Sequence, residues 1–191
     1  MEISTPYHSL KKLSTKKLVF ISLMSGLMCI LAPVSIHIPL TPVPVSLGLF
    51  AVFICSYILE PVSAFLCILI YIILGCIGLP VFSGFIGGLN KIAGPTGGFI
   101  FGFLFTAFIS SFFIHRFKDN YFIHFLAMFF SLIPCYILGA FWFSLQQNVS
   151  FENAVKVCIA PFFIMDFLKI LAAVFLGNIF INRLKKAGIT V

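Results

Sequence analysis

The stretch that decides the fold is APFFIMDFLKILAAVFLGNIF, residues 160–180. It is a predominantly apolar run, interrupted by Asp166 and Lys169, and it matches the roughly 20 helical residues that cross a bilayer. Lipid offers no partners for unpaired backbone groups, so such a run predicts a membrane-spanning helix. Of the 191 residues, 61% are hydrophobic and 9% are charged, against roughly 25% charged in soluble domains. The sequence therefore predicts an all-α polytopic membrane protein.

Six spans of this kind are predicted, joined by short connectors. They cover residues 18–36, 45–59, 62–79, 97–114, 122–144 and 157–182. A basic segment (1–17) precedes the membrane domain (18–182), and a basic tail (183–191) follows it. The proline-rich connector HIPLTPVP (37–44) is predicted to be an extended loop, because proline disfavours a helical conformation in the residue before it. The connector QQNVSFEN (146–153) is predicted to be a polar loop.

Positive charges indicate how the spans are oriented. Most lysines and arginines lie in three clusters, made of Lys11, Lys12, Lys16, Lys17, Arg116, Lys118, Arg183, Lys185 and Lys186. With six spans, all three clusters fall on one side, which the basic character of cytoplasmic loops identifies as the cytoplasm. Both termini of a multi-pass cell-membrane protein are therefore predicted to be cytoplasmic. The net charge of +7 does not indicate a nucleic-acid partner, because no basic stripe is interleaved with aromatic residues.

Under this topology the glycine-rich segment GGLNKIAGPTGGFIFGF (87–103) is an extracytoplasmic loop between helices 3 and 4, leading into helix 4. It lacks the G-x-x-x-x-G-K-[ST] spacing of a phosphate-binding loop. Irregular backbone at membrane depth is tolerated where it lines a cavity, and glycine lets a ligand approach the main chain. The candidate ligand-binding residues here are Asn90, Thr96, Gly97 and Gly98. Alternatively, Gly98 and Gly102 serve close helix packing.

Asp166 and Lys169 carry the strongest functional signal. Each charge costs about 2.5–3.5 kcal/mol near the bilayer centre, and residues three apart share a helical face. In a helix that begins at Pro161, the two lie roughly 8–12 Å below its outer end. They form either a structural ion pair or a binding pair for a small acidic ligand. In the second case, lysine pairs with a carboxylate and aspartate accepts from N–H donors.

Small residues recur four positions apart in the first span. Ser22 precedes Gly26, and Ser25 precedes Cys29. In lipid, small residues allow the close backbone approach on which helix association depends. This face therefore packs within the bundle or docks another membrane protein. The six cysteines are scattered without a CxxC pair, so neither a metal site nor a cofactor is predicted.

Several motifs together resemble one known family. In chain order they are LAPVSI (31–36), TPVPVSL (41–47), GLPVFSG (78–84), GGLNKIAGPTGGF (87–99), FWFSLQ (141–146) and DFLK (166–169). They are similar to BioY, the biotin-specific substrate-binding (S) component of energy-coupling factor (ECF) transporters. The resemblance implies six helices, a site near the extracytoplasmic side and no ATPase of its own. It also implies that biotin is the transported ligand.

The resemblance extends to residue roles and partners. It implies that Lys169 takes the valerate carboxylate of biotin, that Asp166 makes a polar contact, and that Asn90 also belongs to the site. The implied partners are a transmembrane coupling protein and a pair of ABC-type ATPases, docked on the first span through Ser22, Ser25, Gly26 and Cys29.

Two other functions remain open. An ion-coupled secondary transporter of a small carboxylate would be expected to contain broken helices and inverted repeats, and no convincing repeat is visible. An intramembrane enzyme would need paired aspartates, a serine–histidine arrangement or a metal cluster, none of which has sensible spacing here. The sequence therefore favours a binding subunit and not an enzyme.

Overall fold

The computed structural model describes residues 14–36, 43–118 and 120–186 of the chain. These residues are mostly helical. The elements are α1 (Thr15–Leu31), β1 (Ser35–Ile36), β2 (Val45–Ser46), α2 (Gly48–Ile58), α3 (Pro61–Cys76), α4 (Leu89–Ala93), α5 (Gly97–Arg116), α6 (Tyr121–Gln147), α7 (Phe151–Cys158) and α8 (Ala160–Lys186). Because α8 continues to Lys186, part of the predicted tail is helical. Lys11, Lys12 and most of the predicted loop 37–44 lie outside the described residues.

Three of the described helices are long and apolar enough to cross a membrane. They are α5, α6 and the Ala160–Leu184 part of α8. The helices α2 and α3 are apolar but shorter, and α1 has 17 residues. A bilayer crossing takes about 20 helical residues, with a lower limit near 17. The predicted class, a mostly helical membrane protein, is therefore confirmed, whereas the count of six spans stays a prediction.

The first two predicted spans are too long in the sequence-based assignment. Helix α1 ends at Leu31 and not at residue 36, because Pro33 has no N–H group with which to continue the helix. The residues that follow turn into β1, which pairs antiparallel with β2, so that Ser35 faces Ser46. This pairing uses the residues predicted to open the second span. Helix α2 therefore starts at Gly48.

The polar connector predicted at 146–153 is largely helical. Helix α6 runs to Gln147 and ends at Asn148, which adopts the left-handed conformation with φ of 51°. The Ser150 side chain then caps α7 by accepting a hydrogen bond from the backbone N–H of Asn153. Polar residues at this connector therefore act as helix stop and start signals. Helix α7 was not predicted, because the polar composition of this segment resembles that of a loop.

Close packing of α5 against α6 depends on glycine. A Cβ atom on Gly98 would lie 2.5 Å from the Leu138 carbonyl oxygen, and one on Gly102 would lie 2.7 Å from Cys135 Sγ. Real Cβ atoms do not approach other atoms this closely, so both positions require glycine for the observed spacing. The structure thus supports the packing interpretation of these two glycines.

The described basic clusters lie at one end of the bundle. Lys17, near the start of α1, is paired with Glu60 in the α2–α3 turn at 2.5 Å between Nζ and Oε2. The C-terminal end of α5, which carries Arg116, reaches the same turn, because Ser111 Oγ donates to the Leu59 carbonyl at 2.6 Å.

The C-terminal half of α8 reaches this end as well. A Cβ on Gly177 would lie 2.3 Å from the ring of Tyr57, which stands in the last turn of α2. Arg183 follows Gly177 by less than two helical turns. Lys17, Arg116 and Arg183 therefore share one end, as the charge pattern predicts.

The glycine-rich loop folds over the other end of the bundle. The N–H of Gly88 donates to the Gly75 carbonyl at 2.7 Å, which returns the chain to the end of α3. A Cβ on Gly87 would lie 2.2 Å from the Leu79 carbonyl oxygen, so only glycine permits this fold-back. On the far side of the loop, Trp142 Nε1 donates to the Gly94 carbonyl at 2.9 Å. The loop is thus fixed to both α3 and α6.

Candidate functional site

A cavity lies beneath this loop, at the end opposite the basic clusters. It encloses about 650 Å³ of empty space, its open mouth included. The lining residues are Val43, Pro44, Ser46, Leu49, Tyr71, Ser83, Thr96, Phe99, Ile100, Phe103, Cys135, Tyr136, Cys158, Phe162, Asp166 and Lys169. The mixed polar and apolar lining is that of a site for a small organic molecule.

The polar part of the cavity is built from α8 and α6. Lys169 Nζ donates to Asp166 Oδ1 at 2.9 Å, and the Tyr136 hydroxyl donates to Asp166 Oδ2 at 2.7 Å. The side chains of Lys169 and Asp166 are only 12% and 5% exposed. Two opposite charges are thus buried together, and both aspartate oxygens are satisfied. Removing either partner would leave an uncompensated buried charge, which is strongly destabilising.

The ammonium group of Lys169 has more N–H donors than its hydrogen bond to Asp166 uses. An ammonium group carries three N–H donors. Among the described residues, Asp166 is the hydrogen-bond partner found for Lys169 Nζ. The remaining donors of Lys169 stand in the cavity wall, where a ligand carboxylate can accept them. An interaction of this charged kind is shorter and stronger than a neutral hydrogen bond.

Apolar rings form another part of the wall. Phe99 and Phe103 stand one turn apart on α5, and Phe162 comes from the first turn of α8. Leu49 and Tyr71 contribute from α2 and α3. An apolar ligand body buried here gains roughly 25 cal/mol for each Å² removed from water. The site suits a ligand that combines a compact apolar body with an acid group.

Thr96, at the N-terminal end of α5, adds a polar group without a partner. Its hydroxyl is buried and has no hydrogen-bond partner in the structure. It lines the same cavity as Asp166. A buried hydroxyl left unpaired costs about 1–3 kcal/mol. A ligand that hydrogen-bonds to Thr96 Oγ1 would recover that cost.

The structure brings some of the predicted site residues together and leaves others apart. Asp166, Lys169 and Thr96 line the cavity. Gly97 and Gly98 are buried at the start of α5 and are absent from the lining, since their Cα positions face Ile92 and Trp142. Asn90 is exposed on α4 and is also absent from the lining. The ligand roles predicted for these glycines and for Asn90 remain predictions.

Near Asn90, Lys91 is a half-buried cation on α4. Burial lowers the pKa of its ammonium group, because a charged form is disfavoured away from water. Lys91 does not line the cavity. Lys169 is therefore the cation that the described residues present to a ligand in the cavity.

Sequence reasoning missed Tyr136. The residue lies in the middle of the fifth predicted span, among apolar residues. A tyrosine in that setting has a hydroxyl that needs a partner, and this was the available signal. Only the crossing of α6 and α8 shows that the partner is Asp166.

Replacing Tyr136 with phenylalanine removes one donor to Asp166 and keeps the ring. A hydrogen bond to a charged group contributes about 1.5–3 kcal/mol, so we expect the free energy of unfolding to fall by about this much. Thermal unfolding of the purified protein measures this. Tyr121→Phe is the matched control, because Tyr121 is exposed at the opposite end of α6. Equal losses in both variants would contradict a specific role for Tyr136.

The predicted docking residues of α1 do not share one environment. Ser22 and Gly26 are exposed, and in the part of the chain that the structure describes no atom outside the helix backbone lies within 4 Å of a Cβ placed on Gly26. Ser25 is buried and donates to the Cys67 carbonyl at 3.2 Å, and Cys29 is half-buried. Ser25 therefore packs α1 against α3. Ser22 and Gly26 lie on an outward face, which we call the α1 outer face.

The fold and the cavity define a class: a helical membrane protein with an open pocket at one end of the bundle, and with a charged pair in the pocket wall. The chain matches the BioY family over residues 7–186. It therefore belongs to the BioY family.

Individual relatives agree with this assignment. The chain is 36% identical over 166 residues to a "Probable biotin transporter BioY" of Pyrococcus horikoshii, covering 87% of this chain and 96% of that protein. It is 34% identical over 151 residues to the "Biotin transporter BioY" of Thermotoga maritima, covering 79% and 86%. A crystal structure described as the S-component for biotin from an ECF-type ABC transporter is also similar. Its TM-score is 0.79 at 28% identity, with 90% of this chain and 91% of that chain covered.

Proposed function

We propose that this protein is the biotin-binding S component of an ECF-type vitamin transporter. It captures biotin from the extracytoplasmic side and delivers it inward with partner subunits. The observation that carries the proposal is the buried Lys169–Asp166 pair in the wall of an otherwise largely apolar cavity, in a chain that belongs to the BioY family.

The chemistry of biotin suits the two parts of this cavity. Biotin carries a carboxylate on a short alkyl chain, which would accept the free donors of Lys169. Its fused rings are compact, so they would pack against Phe99, Phe103 and Phe162. The ring ureido group offers both N–H donors and a carbonyl acceptor, and Thr96 Oγ1 is an unpaired partner for it. Binding at the site needs neither metal nor cofactor.

The orientation of the site follows from the charges. Basic residues are favoured on the cytoplasmic side of membrane helices. Lys17, Arg116 and Arg183 share the end opposite the cavity, so the cavity opens toward the extracytoplasmic side and both termini face the cytoplasm. In this arrangement the six predicted crossings correspond to α1, α2, α3, α5, α6 and α8, although α2 and α3 are shorter than a full crossing. The glycine-rich loop covers the site from outside.

The partners in this proposal are a transmembrane coupling protein and a pair of ABC-type ATPases, which supply the energy for delivery. The α1 outer face would contact the coupling protein. Support comes from Ser22 and Gly26, where small exposed residues allow another helix to approach the backbone closely. The protein itself is thus a binding subunit and not an enzyme.

The docking role predicts a separation of assembly from binding. Gly26→Leu places a bulky side chain on the α1 outer face, so we expect assembly with the coupling protein to be lost while biotin affinity stays within about twofold. Ser22→Leu should act in the same direction. Co-purification with the partner subunits measures assembly, and calorimetry measures binding. Ile137→Phe, on the exposed surface of α6, tests whether any bulky residue on the outside of the bundle has this effect. Normal assembly of Gly26→Leu would exclude this docking face.

The function itself is tested with the protein alone. Purified protein in detergent, without ATP or partners, is titrated with biotin by calorimetry. We expect tight one-to-one binding that does not require sodium. Absence of biotin binding would refute the proposed function. A strict requirement for sodium would instead favour an ion-coupled secondary transporter of a small carboxylate.

A further inference from the structure

The charges of the cavity wall balance before any ligand enters. Asp166 and Lys169 are oppositely charged, 2.9 Å apart, and almost fully buried. An anionic ligand bound to Lys169 would therefore leave the site with one negative charge too many. Burying an uncompensated charge costs far more than burying a neutral group. Some positive charge must accompany a carboxylate into this site.

The cavity offers no second cation for this purpose among the described residues. The titratable groups that line it besides Asp166 and Lys169 are Tyr136 and Cys135 from α6, Cys158 from α7 and Tyr71 from α3. None of these four carries positive charge in any protonation state. Helix α2 contains no charged residue, and the Lys156–Glu152 pair of α7 is exposed and self-contained. The missing charge must therefore come from solution.

We propose that binding of a carboxylate ligand at this site takes up one proton from solution, and that Asp166 receives it. The inference rests on the proposed function, since it requires an acidic ligand at Lys169. Proton uptake here accompanies binding and needs no proton gradient.

The geometry provides a place for this proton. In the structure, Lys169 Nζ donates to Asp166 Oδ1, and the Tyr136 hydroxyl donates to Oδ2. When a ligand carboxylate accepts from Lys169, the incoming proton bonds to Oδ1, and the new O–H donates to the ligand carboxylate. Oδ2 continues to accept from Tyr136. Two carboxyl groups then share one proton beside one ammonium group, an arrangement that removes the repulsion between two adjacent carboxylates.

Calorimetry in buffers of different ionisation enthalpy measures the proton count directly. Purified wild-type protein is titrated with biotin in phosphate and in Tris at the same neutral pH. The observed enthalpy varies with the buffer in proportion to the protons exchanged. We expect uptake of about one proton per biotin, and an affinity that falls by up to about tenfold for each unit rise in pH.

Biotinamide is the matched control ligand, because it keeps the rings and the chain but carries no charge. We expect the wild-type protein to bind it without proton uptake. Asp166→Asn, which cannot accept the proton, should bind biotin with no uptake and with little dependence on pH. The biotinamide comparison uses wild-type protein only and so does not depend on the folding of this variant.

The outcomes separate the inference from the function. Tight biotin binding with no proton uptake overturns the inference and leaves the proposed function standing. Equal uptake with biotin and biotinamide also overturns it, because the proton would then not compensate the ligand charge. A sodium requirement overturns it in favour of a bound metal cation. Failure to bind biotin at all removes the proposed function, and the inference with it.

Discussion

Lys169→Ala is expected to weaken biotin binding by about two to three orders of magnitude. The variant removes the cation that meets the ligand carboxylate, and it leaves Asp166 charged in a site where its side chain is 5% exposed. Truncating one partner of a buried, hydrogen-bonded charge pair at a binding interface costs about 2–5 kcal/mol, and each 1.4 kcal/mol corresponds to tenfold in affinity. Titration of purified variant and wild type with biotin measures the difference.

Control variants and a control ligand distinguish a loss of carboxylate recognition from a general loss of folding. Lys156→Ala removes a lysine from an exposed pair on α7, and such surface pairs contribute little, so its affinity should match wild type. The double variant Lys169→Met, Asp166→Asn removes both charges and should restore stability without restoring binding. Biotin methyl ester should bind the wild type far more weakly than biotin. If biotin and its ester bound equally well to wild type and to Lys169→Ala, Lys169 would have no role in carboxylate capture.

Gly98→Leu is expected to prevent α5 and α6 from packing. The first added atom alone would lie 2.4 Å from Trp142 Cβ and 2.5 Å from the Leu138 carbonyl oxygen. The backbone oxygen of α6 cannot move aside as a side chain can, so the two helices must separate. Overpacking by a small group costs typically 1–3 kcal/mol, and leucine adds several carbon atoms. We expect little folded protein after purification in detergent, measured by size-exclusion chromatography and thermal unfolding.

Alanine variants of Gly98 and Gly26 test whether steric overlap between α5 and α6 causes this loss of folding. Gly98→Ala should fold with a lowered melting temperature, whereas Gly26→Ala should leave it unchanged or raise it slightly. Nothing lies within 4 Å of a Cβ on Gly26, and alanine favours helix over glycine by about 1 kcal/mol. An unaltered melting temperature for Gly98→Ala would show that α5 and α6 do not pack as described.

The general class of the protein was accessible from composition and run length. A run such as 160–180 has to be helical in lipid, because only a helix satisfies its own backbone groups. Asp166 and Lys169 could also be singled out from the sequence, because a charged residue within an apolar membrane helix costs free energy. Spacing of three then predicted their shared face, and the structure places them 2.9 Å apart. These features could be predicted from the composition and spacing of single segments.

Other features depended on contacts between distant segments. From the sequence, Gly97 and Gly98 could each let a ligand approach the backbone or let two helices pack closely. Only the neighbouring backbone of α6 identifies Gly98 as a packing residue. The exposure of Asn90 likewise depends on how the loop folds over α3. Helix α7 was concealed because its capping residues resemble loop residues. None of these contacts leaves a periodic pattern along the chain.

The amino-acid sequence by itself determined that the chain enters a membrane as helices, that the described basic clusters share one end, and that an acid–base pair stands on one helix face. These properties follow from each segment's own hydrophobicity, charge and period. Tertiary structure alone decided that Tyr136 completes the pair, that Thr96 has no partner among the described residues, and that a loop covers a cavity between them. A cavity is the space between several elements, and its shape depends on distances that no single segment encodes.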